Sequence, residues 1–198
     1  MDFFIDEGQI EQEFERLANE LLFTKKLNVN GEHFSFTEIE FYYYSEKHHQ
    51  DAYTHHHNEK EGKWRFHKMG FDFTLRGKTG FGGILIRGVE NKGEFINGPL
   101  RSLFHIMSYL NDVNSTDNKL GLIEKEQAKS TVYRTFRKGL KTPDPQLKCN
   151  NPEGFKNARY RFIIKPRESK QLEQREAIAR SFDDPEMSRE FFGYNLKS

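Results

Sequence analysis

The sequence predicts an α+β fold, a single domain over residues 1–198 with a curved, mostly antiparallel sheet flanked by helices. Three observations carry this. The segments read in the order α-ββ-ββ-β-α-β-α along the chain. Asn30-Gly31, between two strand-like runs, is a strong hairpin signal because both residues tolerate positive φ. The 198 residues include 19 Phe, which supply a core for one domain and leave little room for two.

The first element is a helix. Asp6 followed by Gln9 resembles an N-cap with a reciprocal partner. Ile10, Phe14, Leu17 and Leu21 then recur at helical spacing. Residues 22–27 form a strand, the Asn30-Gly31 turn follows, and residues 33–44 return. The return strand changes phase: Phe34 and Phe36 are apolar at even positions, Ile39 and Phe41 at odd ones. Either a bulge near Thr37 resets the facing, or the core face opens into a cleft at Glu38. Residues 45–62 are polar and His-rich, a surface loop. Trp64–Leu75 reads as one or two strands broken at Gly70. Ile84-Leu85-Ile86, flanked by glycines, fits a central buried strand. Pro99 opens a helix with Leu100, Leu103, Phe104, Met107 and Leu110 as its face. Residues 111–119 and 141–154 are loops. Tyr160, Phe162 and Ile164 alternate with Arg159, Arg161 and Ile163, a strand with a basic outer edge at its start. Residues 168–182 read as a solvated C-terminal helix, with a tail to 198.

Composition excludes several classes. No apolar run reaches the ~18 residues needed to span a bilayer, and mean hydropathy is −0.87. The start, MDFFIDEG, is acidic and unlike a secretory signal. A lone cysteine, Cys149, rules out an internal disulfide framework and a Cys-rich zinc site. The expectation is a cytoplasmic protein without membrane attachment, monomeric by default. Net charge is only +1, but residues 1–61 carry 5 Lys/Arg against 14 Asp/Glu, while residues 129–170 carry 12 against 3. That basic tract would attract a polyanion by counterion release, or it pairs with the acidic first third. Lys129, Arg134, Arg137, Lys138, Arg159 and Arg161 are its candidates for contacting the backbone of such a polyanion.

Three groups could carry chemistry. Glu38, Glu40, Tyr42 and Tyr44 share one strand face, and a carboxylate among aromatic walls makes a useful base; an edge strand with Glu in water is the structural alternative. His48, His49, His55, His56 and His57 would hold a metal with Asp51 or Glu40, or form an exposed loop. Arg87 ends a buried strand, so it needs an anionic partner such as Glu40 or Glu90. No phosphate-loop spacing is present.

Taken in order, these features resemble the alkyladenine (3-methyladenine) DNA glycosylases, as a distant bacterial branch. The likeness runs over residues 3–165. It rests on Glu38-Ile39-Glu40-Phe41-Tyr42 after the hairpin, a His among 55–57, the aromatic strand Trp64–Gly70, Ile84–Glu90 with Arg87, Asn97-Gly98-Pro99, and Arg161-Phe162. The resemblance implies the family's fold and hydrolysis of an N-glycosidic bond in DNA, with no metal or other cofactor. It implies Glu40 as the base that activates water, Arg87 as its orienting partner, and Tyr42 with His55 or His57 stacking on a flipped base. Glu38, Met69 and Phe71 would complete the base site. Met69 stands where the family has Tyr, and the family's wedge falls near Phe71 or Asp72. Two other functions stay open: a non-catalytic nucleic-acid or nucleotide-ligand protein on this fold, and a metal-assisted hydrolase using the His48–His57 loop.

Overall fold

The computed structural model describes residues 1–127 and 130–194. It has an α+β architecture, a curled antiparallel sheet close to half a barrel with a few short helices. In chain order the elements are α1 (Ile10–Asn19), β1 (Lys25–Val29), β2 (Glu32–Ser45), β3 (His49–Gln50), β4 (Trp64–His67), β5 (Gly70–Arg76), β6 (Phe81–Asn91) and β7 (Glu94–Asn97). They continue with α2 (Pro99–Met107), β8 (Leu120–Glu124), β9 (Tyr133–Thr135), α3 (Pro152–Asn157), β10 (Arg161–Ile163), α4 (Arg175–Arg180) and α5 (Pro185–Phe192). The sheet runs β4-β5-β6-β2-β1-β8. β2 is long enough that β1, β10 and β3 share its second edge in succession.

The β1–β2 hairpin turns on Asn30 and Gly31 at φ 51° and 94°, as the dipeptide requires. The phase change in β2 is a bulge. Phe36 pairs with Val89, Glu38 with Gly88, and Ile39 with Ile86, so Thr37 and Arg87 have no cross-strand partner in this pairing. Both strands therefore swap faces at the same level. Gly88 makes this possible: a Cβ there would stand 2.7 Å from Thr37 Oγ1 and 3.0 Å from Glu38 Cβ.

Beyond the bulge the sheet has two distinct faces, because side chains alternate along each strand. One face carries Ile39, Phe41, Phe71, Phe73, Leu75, Ile84 and Ile86, all buried. Ile10, Phe14 and Leu17 of α1 pack into the same core, with Phe14 stacked on Phe41 at 4.6 Å between centroids. The opposite face carries charge. Asp72 pairs with Leu85, Leu85 with Glu40, and Glu40 with Arg161, a row across four strands.

Several expectations are corrected. Gln9, not Asp6, occupies the cap of α1, and no side chain caps it. Asp6 instead accepts from Gly8 N–H (2.9 Å) and Gln9 Nε2 (3.2 Å), closing the turn before the helix. The first strand starts at Lys25 rather than 22, because a π-helical turn over Glu20–Thr24 keeps Leu21 and Leu22 in the core. On α2 the buried residues are Ser102 and Ile106, while Leu100, Phe104 and Met107 are exposed. Ser102 Oγ lies 3.3 Å from the carbonyls of Arg87 and Ile96, so a polar contact fixes the rotation of the helix.

The His-rich segment is no free surface loop. His49, Asp51, Ala52, Tyr53, Thr54 and His57 are buried as it folds back over the sheet. The basic edge at Arg161 is interior: Arg161 is fully buried on the charged face. The single helix expected over 168–182 is replaced by turns and the short helix α4, and α5 follows it. Ile178, Ala179, Phe182 and Phe191 there form a second apolar cluster with Tyr133, Ile163 and Leu172. No helix among the described residues is long and apolar enough to cross a membrane.

Candidate functional site

The charged face opens into a cavity of about 360 Å³. Gly82, Gly83 and Leu85 of β6 line it, with Tyr42 on one side and Arg65, His67 and Asp72 on the other. Arg87, His55, Met69 and the segment Lys138–Thr142 also line it. The alternation of β4 explains the wall: Trp64 packs on the core side, while Arg65 and His67 alternate to the cavity side.

Glu40 is fully buried just behind this floor and does not itself line the cavity. Its Oε2 accepts from Tyr42 Oη–H at 2.8 Å, and its Oε1 from Lys138 N–H at 2.9 Å. Arg87 Nη1 donates to Oε2 at 3.4 Å. Glu38 is buried beside it, and its Oε1 accepts from Arg87 Nε (2.6 Å) and Arg161 Nε (2.8 Å). Arg87 Nη2 reaches Glu173 at 2.9 Å, and Lys138 Nζ reaches the same carboxylate at 2.7 Å. Two buried carboxylates are thus matched by two buried guanidiniums, which is what burial of charge demands.

The electrostatics follow. Burial works against the charge of Arg87, but Glu40 and Glu38 outweigh it and raise its pKa. Burial, the charge of Glu40 and the hydrogen bond to it push the Tyr42 phenol well above its ordinary value, so it stays protonated and donates to Glu40. Burial is opposed at Glu173 by the Lys138 hydrogen bond and the charge of Arg87, and the net direction is down. His55 is held below the ordinary histidine value by burial and by Arg65.

The structure sorts the sequence candidates. Glu38, Glu40, Tyr42 and Arg87 come together, and His55 and Met69 line the same cavity. His57 does not share the face of His55. It turns away, 2.7 Å from Gly82 O, and packs beside Phe81. Phe71 is 1% exposed in the core between Trp64 and Phe73, so it reaches neither a base nor a duplex.

The DNA-backbone set largely dissolves. Arg161 is spent on Glu38. Arg137 is buried and forked onto Asp51 at 2.5 and 3.1 Å, beneath the rings of Tyr42 and Tyr160. Arg134 pairs with Glu15 at 2.5 Å, and Arg159 bonds Ser181 O at 3.0 Å. Lys138 faces the cavity, while Lys129 lies outside the described residues. The His loop gathers no ligand set. His49 is fixed between Tyr43 O (2.7 Å) and Tyr160 Oη (3.1 Å). Among the described residues no group of three His, Cys, Asp or Glu is placed to hold a metal.

Sequence reasoning missed Arg65, His67 and Glu173 as parts of the site. The alternation Trp64-Arg65-Phe66-His67 opposite Phe71-Asp72-Phe73 was a readable signal for the first two. Glu173 comes from an irregular turn with no local signature. No family model matches the chain, and no curated protein matches it closely enough to count as a relative.

Proposed function

We propose that the chain is a monofunctional DNA glycosylase of the alkyladenine type. It hydrolyses the N-glycosidic bond of a damaged or modified base turned out of the duplex into the cavity, as a step of base-excision repair. The curled sheet is then that family's fold. What carries the reading is one contact set: Glu40 behind the cavity floor, bonded to the Tyr42 hydroxyl at 2.8 Å and faced by Arg87.

The chemistry needs those groups. Breaking the bond builds positive charge on the sugar, and the Glu40 carboxylate stabilises it from a dry site. A water held at the Tyr42 hydroxyl attacks C1′. Its proton moves to Tyr42 Oη as the phenolic proton moves to Glu40 Oε2. The base leaves with the electron pair of the C1′–N bond and takes a proton from solvent. Arg87 keeps two adjacent carboxylates tolerable in one buried site. His55, neutral near pH 7, stacks on the base or bonds its edge.

The test is single-turnover cleavage of oligonucleotides each carrying one modified base. Glu40→Gln should slow formation of the abasic product by at least about 100-fold. Product formed equally fast by Glu40→Gln removes Glu40 from the mechanism.

A second reading, a nucleotide-binding protein without catalysis, is favoured by one observation. The Glu40 oxygens already accept from Tyr42, Lys138 and Arg87, and Glu40 does not line the cavity. On that reading ligand binds but no oligonucleotide is cleaved.

A further inference from the structure

The cavity wall opposite Tyr42 holds a pairing that the cleavage chemistry does not use. Asp72 is 7% exposed and lines the cavity. Its Oδ2 accepts from Arg65 Nη1 at 2.9 Å and its Oδ1 from His67 Nε2 at 3.0 Å. The His67 tautomer follows from its other nitrogen. Met69 N–H donates to Nδ1 at 3.2 Å, which leaves the Nε2 proton for Asp72.

A carboxylate offers about four acceptor positions, and two are taken here. Arg65 also lines the cavity, and a guanidinium has five N–H donors, of which Asp72 takes one. The wall therefore presents two acceptors with a donor beside them. Gly83 keeps the approach open: a Cβ there would stand 3.2 Å from Asp72 Oδ2.

The spacing suits a base spanning the floor. Asp72 and Glu40 sit in one cross-strand row with Leu85 between them. Two strand spacings separate their backbones, about 10 Å. A purine lying over Leu85 and Gly83, with its sugar at Tyr42, points its Watson–Crick edge at Asp72.

We infer that Asp72 and Arg65 select a base whose Watson–Crick edge presents two adjacent N–H donors next to an acceptor, the pattern of guanine and guanine-derived lesions. The N1–H and 2-amino group donate to Asp72, and Arg65 donates to O6. Adenine offers Asp72 a lone pair at N1, and hypoxanthine lacks the 2-amino group. The inference rests on reading this cavity as a nucleobase site.

The test is equilibrium binding of dGMP, dIMP and dAMP to the full chain by calorimetry. Losing one charge-assisted hydrogen bond should weaken dIMP about tenfold relative to dGMP, and dAMP should bind more weakly still. Asp72→Asn should bring dGMP and dIMP to within about threefold of each other, since an amide retains one acceptor and loses the charge. Equal or tighter binding of dIMP or dAMP by the native chain overturns the inference without any variant. So does the absence of dGMP binding. Cleavage unaffected by Glu40→Gln would instead sink the hydrolase mechanism and leave the dGMP ranking standing.

Discussion

Asp51 and Arg137 provide the sharpest test of how the cavity is held together. Both side chains have 0% exposure, and their contacts are 2.5 and 3.1 Å. Arg137 also donates to Phe41 O at 3.1 Å and Phe155 O at 2.8 Å. Asp51→Ala would leave a buried guanidinium with two neutral carbonyls as acceptors. Removing one partner of a buried pair costs about 3–5 kcal/mol, most of it from the charge left behind. Replacing both partners removes that uncompensated charge, so Asp51→Ala with Arg137→Met should recover part of the loss. Urea denaturation of the native chain, both single variants and the double variant measures this cycle. The site should respond too, because Lys138, the next residue, gives its N–H to Glu40. A loss below about 1 kcal/mol for Asp51→Ala, or a double variant as unstable as the summed singles, would refute the reasoning.

Four further outcomes are expected. Gly88→Ala should destabilise by about 1–3 kcal/mol in thermal or urea melts, because its Cβ would press on Thr37 Oγ1 and Glu38 Cβ at the bulge. On α2, Ile106→Ala should cost about 2–4 kcal/mol in the same assay, while Phe104→Ser stays within about 0.5, which reports the rotation of the helix. Burial and then the nearby Lys165 charge push Lys125 down to about 8 from 10.5, so the unfolded chain holds the extra proton between those values and stability rises with pH through that window; Lys125→Met should flatten that rise in urea midpoints measured across the window from about 8 to 10.5. If DNA is the partner, the cavity-lining cations other than the buried, ion-paired Arg87, which are Arg65, Lys68, Lys138 and Lys141, bound the log–log salt slope of its affinity between about −2 and −4, and a slope of −6 or steeper would bring in basic groups outside the cavity.

The local rules of the chain made most of the sheet legible. Asn30-Gly31 fixed one hairpin, and Gly70 separated β4 from β5. The apolar phase change between Phe36 and Ile39 left two readings, a bulge near Thr37 or a cleft at Glu38, and the register of β2 against β6 selects the bulge. That shift also put Glu38 and Glu40 with Arg87 on the face away from the core. Helix α2 misled for the opposite reason. Its apolar residues outnumber its polar ones, and the face that packs is chosen by Ser102 against two carbonyls. Periodicity counts side-chain hydropathy and cannot see a backbone acceptor waiting on another strand. The C-terminal region was opaque in the same way, since Phe182 and Phe191 meet Tyr133 only through tertiary contact.

Charge was legible as an imbalance and not as a destination. The basic tract suggested an external polyanion, yet Arg137 goes to Asp51, Arg161 to Glu38 and Arg134 to Glu15. Each of these acids comes from the acidic first third, so part of the two excesses cancels across the fold, twice in the interior and once, at Arg134 and Glu15, on the surface. What remains near the cavity is a smaller set. Lys138 is engaged by Glu173 and Arg65 by Asp72, and among the described residues Lys68 and Lys141 have no ion-pair partner. A ligand at this site therefore meets modest positive charge at the mouth and a neutralised carboxylate cluster beneath the floor. That arrangement favours recognition through the edge of a bound ring over recognition through a long run of phosphates, because hydrogen bonds at the Asp72 wall survive salt that screens two lysines.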